Sequence, residues 1–242
     1  MISIRRAATR GVIQSGPVEL DCYFSFATSI EPGHEHEGRL RVVNAGHIPA
    51  GQHYTLGAEQ EMDILTWVEH GVLTTSVEGL PDEAIQGGGL HAVSTAGGCR
   101  SLDWHARADT TFFQFWVLPD TEGGEPTQEV RPAPAQADNS GFRIVASGFP
   151  EDDPEETQTV TDGAPLTLRA RARLLHAEIV QNEGAAYSTT PGRALYLVVV
   201  SGQVSLGDAL LAKGDAAALE NETSLVAIAR ETSVVLLVDA PL

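Results

Sequence analysis

Eight histidines and two cysteines are the residues of this chain best suited to hold a metal or move a proton, and their spacing is loose. His34 and His36 stand two apart in Glu31-Pro-Gly-His-Glu-His-Glu-Gly38, the spacing of two imidazoles on one strand face. Pro32 and Gly33 place that pair in a turn-rich acidic loop with no partner nearby, so a solvated loop is expected. His53 lies in the polar run that follows Gly51. Further on, Ser101, Asp103 and His105 alternate with Leu102 and Trp104, and a strand here puts the three polar residues on one face. His70 and His91 fall in strand and turn positions and read as structural. Cys22 and Cys99 match no metal or redox spacing and read as two reduced thiols. In the second half of the chain His176 is the only histidine, which excludes a histidine-rich site there.

The elements that must position these residues read as short strands with glycine punctuation. Ile64, Thr66 and Val68 alternate with Leu65, Trp67 and Glu69, and Gly71 closes that run. Val72 to Val77 is expected to pair with it across the turn. Further strands are expected at Cys22 to Thr28, Arg39 to Asn44, Leu90 to Ser94, Cys99 to Trp104 and Thr110 to Leu118, the last buried on both faces. Residues 120–141, rich in Gly, Pro and acid, read as an interdomain connection, and residues 150–156 as an exposed acidic loop. Beyond them lie Ala172 to Val180, Arg193 to Val200, Gln203 to Leu206, Leu225 to Ala229 and Ser233 to Val238, with turn signals at Ser201-Gly202, Gly207-Asp208 and Lys213-Gly214-Asp215. Between Gly51 and Pro119 no segment has a helical period. The likeness of Val68-Glu-His-Gly71 to Val199-Val-Ser-Gly202 suggests two related units in tandem.

Composition narrows the function classes. The chain has 242 residues, 42 % hydrophobic, enough to bury a sizeable core. Its longer apolar runs, such as Leu195 to Val200, are strand length, far short of the roughly 18 residues of a membrane span. The N-terminal residues lack the apolar core of a signal peptide, so a cytoplasmic location is expected. With 33 acidic against 15 basic residues the formal charge is −18, and Lys213 is the only lysine. Such a surface repels phosphate backbones and anionic lipid, so neither nucleic acid nor membrane is an expected partner. A basic protein partner suits it better.

Three ordered stretches carry a family resemblance: Leu40-Arg-Val-Val-Asn44, Glu61-Met-Asp-Ile-Leu-Thr-Trp-Val-Glu-His-Gly71 and Ser94-Thr-Ala-Gly-Gly-Cys-Arg-Ser-Leu-Asp-Trp104. Phe113-Gln-Phe-Trp-Val-Leu-Pro119 and Leu197-Val-Val-Val-Ser-Gly-Gln-Val204 extend it. Together they resemble the bacterial pirin-like bicupins, the group that includes quercetin 2,3-dioxygenases. The resemblance implies an all-β fold of two tandem cupin (double-stranded β-helix, or jelly-roll) barrels. The expected division is 1–130 for a motif-bearing N-terminal barrel and 131–242 for the second. It also implies an N-terminal site in which three histidines and one glutamate hold iron or another divalent transition metal.

At the positions matching those four ligands this chain has Gly57, Glu59, Ser101 and Asp103. Glycine offers no donor and serine a weak one, and two carboxylates do not hold redox metals as imidazoles do. Such a remnant suits weakly bound Mg²⁺ or Ca²⁺ with waters in the shell. A substitute set would have to draw on His53, Glu59, Asp103 and His105, the other reading of both histidines being ordinary surface or core residues. Met62, Trp67 and Trp104 are candidates for apolar pocket walls or for barrel core. Arg100 is expected to pair with Asp103, the alternative being to orient an anionic ligand. The expectation is a pirin-like protein without a cofactor, binding a small aromatic molecule or a protein partner. The competing reading is a quercetinase-type dioxygenase with an unusual ligand set.

Overall fold

The computed structural model describes residues 2–133, 141–152 and 164–242, and their regular structure is strand. The first half contains β1 (Ile2–Arg5), β2 (Gly11–Ser15), β3 (Val18–Cys22), β4 (Leu40–Ile48), β5 (His53–Leu56) and β6 (Asp63–His70). It continues with β7 (Val72–Val77), β8 (Glu83–Gln86), β9 (Leu90–Ser94), β10 (Leu102–Ala106), β11 (Thr110–Val117) and β12 (Thr127–Arg131). After these come β13 (Arg143–Ser147), β14 (Leu166–Thr167), β15 (Arg173–Ile179) and β16 (Gly184–Ser188). The last four are β17 (Arg193–Leu206), β18 (Ala209–Ala212), β19 (Ala216–Glu220) and β20 (Ser224–Pro241). The helical pieces among the described residues are two single 3₁₀ turns, Ala7–Thr9 and Pro150–Asp152.

These strands form two barrels. A seven-stranded sheet, in the order β12-β9-β6-β11-β4-β3-β2, faces a four-stranded sheet, β5-β10-β7-β8. Between them pack Leu20, Ile48, Tyr54, Ile64, Leu73, Leu102, Trp104, Phe112 and Trp116. The second barrel grows from one nine-stranded sheet, β1-β19-β17-β20-β15-β13-β14, with β16 on β20 and β18 on β17. Its interior holds Leu175, Ile179, Leu195, Leu197, Val199, Val204, Leu206 and Leu237. Strand β1 reaches across the molecule to pair with β19, Ile4 opposite Ala217.

Strand alternation explains how one sheet serves two cores. Successive side chains leave a strand on opposite faces. In β6, Ile64 and Val68 enter the first barrel while Leu65 and Trp67 enter a third core at the barrel junction. In β17, Leu195, Leu197 and Val199 point into the second barrel while Tyr196, Val198 and Val200 meet Leu65, Trp67, Phe113 and Phe115 across the junction. This double burial gives β17 its unbroken apolar run from Ala194 to Val200, and in β11 it leaves Gln114 as the one polar residue between Phe112 and Val117.

Several expectations are corrected here. Val72 to Val77 does not pair with the Ile64 strand: β6 bonds β9 and β11, whereas β7 bonds β8 and β10 in the other sheet. Gly71 has φ +93°, and a Cβ there would lie 2.4 Å from the Asp109 carbonyl oxygen, so the chain crosses between sheets instead of folding into a hairpin. The Cys22 strand ends where it was expected to begin. The stretch read as a connection contains β12, which pairs with β9; residues 134–140 lie outside the described ones. Asp152, placed in an exposed loop by its acidic neighbours, accepts from Arg173 Nε at 2.5 Å and Ser147 Oγ at 2.6 Å. Residues 153–156 lie outside the described ones.

Ser201-Gly202 is not a hairpin turn but an irregularity inside the continuous β17, whose register against β20 shifts there. The hydroxyl of Ser233 accepts from Gln203 N at 2.9 Å and donates to a nearby backbone carbonyl, satisfying the polar groups that the shift exposes. One long strand therefore does the work expected of two.

Candidate functional site

Strands β5 and β10 of the four-stranded sheet carry several of the residues singled out by sequence. Strand β10 alternates so that Leu102, Trp104 and Ala106 enter the first-barrel core. Ser101, Asp103 and His105 therefore face outward, on the single face expected of them. On β5, Tyr54 turns inward and stacks on Trp104 with ring centroids 5.8 Å apart, leaving His53 and Thr55 outside. Register places His105 directly opposite His53, and Asp103 opposite Thr55. The Thr55 hydroxyl donates to the Asp103 carboxylate.

The other two positions lie past the end of β5. Gly57 is exposed, with nothing near the place of a Cβ. Glu59 exchanges two backbone hydrogen bonds with Cys99, at 3.0 and 2.9 Å, and partial burial pushes its carboxyl above the usual range. Among the described residues no three histidine, cysteine, aspartate or glutamate side chains come together as a metal-holding group.

The expected wall residues do not share a pocket. Trp104 is in the first-barrel core, and Met62, half-buried, packs against its edge. Trp67 faces the other way, into the junction, beside Phe113 and 5.6 Å from the His176 ring. The expected Arg100–Asp103 pair is also corrected. Arg100 instead meets Glu78, its Nε at 3.1 Å and its backbone N at 3.0 Å from one carboxylate oxygen. The pairing holds the Glu78 carboxyl below its ordinary range.

Sequence reasoning missed a buried polar row on the inner face of the seven-stranded sheet. Asn44 on β4, Gln114 on β11, Thr66 on β6 and His91 on β9 are consecutive cross-strand neighbours, and all four are fully buried. Gln114 Nε2 donates to Thr66 Oγ1 at 3.3 Å, and His91 Nε2 lies 3.0 Å from Gln128 Oε1. Burial pushes the His91 ring down to about 4, which keeps it neutral at ordinary pH. Both polar atoms of the Asn44 amide, Gln114 Oε1, His91 Nδ1 and the indole nitrogens of Trp104 and Trp116 have no hydrogen-bond partner among the described residues. That is neutral hydrogen-bonding capacity inside a barrel, of the kind a polar small molecule or ordered water satisfies. The signal was present in the sequence: Asn44, Thr66, His91 and Gln114 each stand directly between apolar neighbours or one apolar and one small residue in a strand.

Among the described residues, cavities open where the barrels meet. One of about 390 Å³ is lined by Asp63, Ser94, Gln128, Glu129, Thr167 and Arg169. Another of about 310 Å³ is lined by Arg10, Asp21, His47, Glu69, Phe112 and Lys213. Neither includes Gly57, Glu59, Ser101 or Asp103.

Comparison with known proteins places this geometry in context. Residues 159–240 match the family model described as the quercetinase C-terminal cupin domain. The chain is 30 % identical over 218 residues to a putative quercetin 2,3-dioxygenase of Pseudomonas aeruginosa, covering 90 % of each chain. It is also 30 % identical over 220 residues to a pirin-like protein of Caulobacter vibrioides, again covering 90 % of each. Among solved structures it superposes on the bacterial pirin YhhW from Escherichia coli, in complex with nickel(II), with a TM-score of 0.86. The sequences are 25 % identical, and the superposition covers 100 % of this chain and 99 % of that one.

The expectation that no cofactor is involved is corrected by that complex, since a protein with this fold along its whole length carries nickel(II). At the four positions that the resemblance leads one to expect as ligands, the residues here fit such an ion poorly. Gly57 brings no donor, Ser101 a weak one, and Glu59 and Asp103 are hard oxygen ligands where imidazoles suit nickel or iron. In addition, Ser101 and Asp103 point away from the barrel interior.

Proposed function

The chain belongs to the pirin family of bicupins, and on that premise we propose that it is a binding member of the family, taking a small aromatic molecule or a protein partner and not running the dioxygenase reaction. The observation that carries this reading is the residue set Gly57, Glu59, Ser101 and Asp103, two of which face outward from the sheet. Dioxygenase chemistry requires a firmly held metal with open coordination positions, and these side chains do not supply that hold. The Asn44 amide, Gln114 Oε1, His91 Nδ1 and the two indole nitrogens, left without partners among the described residues, support a binding role, as does the strongly acidic surface for a basic partner.

The test is an oxygen-electrode and absorbance assay with quercetin, run with iron(II), copper(II) or nickel(II) added in turn. The expected result is no oxygen-dependent loss of the quercetin band with any of them. Titration with quercetin is expected to quench the fluorescence of Trp104 and Trp116 saturably. Turnover would overturn the proposal. It would favour the second reading, a metal-dependent dioxygenase with an altered ligand set, which the likeness to a nickel(II) complex supports.

A further inference from the structure

We propose that His53 and His105 form a two-imidazole site for a divalent transition metal on the outward face of the four-stranded sheet, with copper(II) the preferred ion. The two residues are direct cross-strand partners, and both side chains are exposed. Antiparallel ladders alternate between pairs that exchange backbone hydrogen bonds and pairs that do not, and side chains are closer in the second kind. The backbone identifies which kind this is. Ala106 uses both its polar groups toward the β5 side: its N–H donates to Gln52 O at 2.9 Å, and its carbonyl accepts from Gly51 N at 2.8 Å. One residue earlier, His105 must turn its own N–H and carbonyl toward β7. The next residue of the same parity, Arg107, does so, donating to Val72 O at 3.0 Å.

His53 and His105 are therefore a non-hydrogen-bonded pair, the geometry that brings Cβ atoms within about 4.5–5.5 Å. Two imidazoles rooted that close, on neighbouring strands and on one face, can meet on a single ion. Strand β5 is the sheet edge, so the approach is open and water completes the shell. The local charges largely cancel, with Asp103 two residues before His105 and Arg107 two residues after. Arg107 donates to Thr74 Oγ1 at 2.6 Å, and Asp103 accepts from Thr55. Recognition thus falls to the imidazole lone pairs. Imidazole suits copper, nickel and zinc, and the ordinary affinity order puts copper(II) first. The site lies outside the barrel and does not depend on the binding role proposed above.

The experiment titrates the full-length protein with copper(II) near neutral pH, by calorimetry and by electron paramagnetic resonance. One ion per chain is expected, with hyperfine structure from two imidazole nitrogens. His53→Ala and His105→Ala should each weaken binding by about tenfold or more, since loss of a direct ligand costs at least as much as loss of an outer-shell group. Both residues are exposed, and circular dichroism checks that the variants fold. The double variant His34→Ala/His36→Ala should bind as the parent does. Absence of copper binding, binding unchanged in either single variant, or binding lost in the loop variant would each overturn the proposal. The readout is independent of quercetin turnover, so its failure leaves the proposed function untouched.

Discussion

Replacing His91 by glutamine should flatten the acid limb of this protein's stability curve. The ring is fully buried, and burial lowers its pKa from an ordinary 6.5 to about 4. Because the depressed value belongs to a base, the unfolded chain takes up the proton first. The stability that the neutral ring contributes is fully present above about pH 6.5, falls as the pH drops through the window, and is completely lost only below about 4. The full gap corresponds to roughly 3 kcal/mol, most of it already gone at pH 4.5. Glutamine can keep a hydrogen bond to Gln128 and does not titrate. Urea denaturation followed by tryptophan fluorescence at pH 7.5 and pH 4.5, on both proteins, reads the effect. His176, also depressed by burial, and the carboxyls of Asp21, Glu37, Glu59 and Asp63, raised by burial, contribute to both proteins and cancel in the comparison. The variant should lose about 2–3 kcal/mol less than the parent between the two pH values. Identical losses would refute the claim that a neutral buried imidazole is part of the barrel's polar row.

Three further outcomes follow from the same geometry. Asp63, 2 % exposed, accepts from the backbone N–H groups of Arg169 and Ala170, each at 2.8 Å, and so ties β6 to the second barrel. Asp63→Ala leaves both amides without that acceptor and should cost about 3 kcal/mol, a fall in Tm of roughly 6–12 °C. Asp63→Asn, which retains an acceptor, should cost clearly less, and equal losses in calorimetry would count against the tie. Gly71→Ala forces a side chain into φ +93° against the Asp109 carbonyl and should destabilise by about 2 kcal/mol or more, read from the urea midpoint. Burial holds the Cys22 thiol up at about 11 and raises that of Cys99. Neither should react with iodoacetamide at pH 8 in the folded protein, and both should react in urea, as mass spectrometry will show.

Strand positions were legible because the pattern that makes a strand is local. Ile64 to Glu69, Leu90 to Ser94 and Thr110 to Leu118 were placed within a residue or two by alternation, β-branching and glycine. Pairing was less legible because it is settled at a distance. Nothing within Val72 to Val77 reveals that its partners are β8 and β10. That follows from Gly71 packing against the Asp109–Thr110 backbone, contributed by a segment almost forty residues away. Likewise, Ser201-Gly202 has the composition of a turn, and only Ser233, on another strand, allows the chain to continue through it.

The candidate site divides along the same line. The common face of Ser101, Asp103 and His105 was readable from the period of two alone. Which side of the sheet that face occupies was not. The answer lies with Trp104 and Tyr54, which stack on each other in the first-barrel core and so fix the parity of β5 and β10 together. Once those rings are inside, His53, Thr55, Asp103 and His105 must be outside, whatever their chemistry. The same parity governs the seven-stranded sheet, where it sends Asn44, Gln114, Thr66 and His91 inward. This chain therefore carries its neutral hydrogen-bonding groups on the inner face of the seven-stranded sheet and its exposed imidazole pair on the outer face of the four-stranded one, so the proposed ligand and the proposed metal would meet different walls of the barrel, not a shared centre.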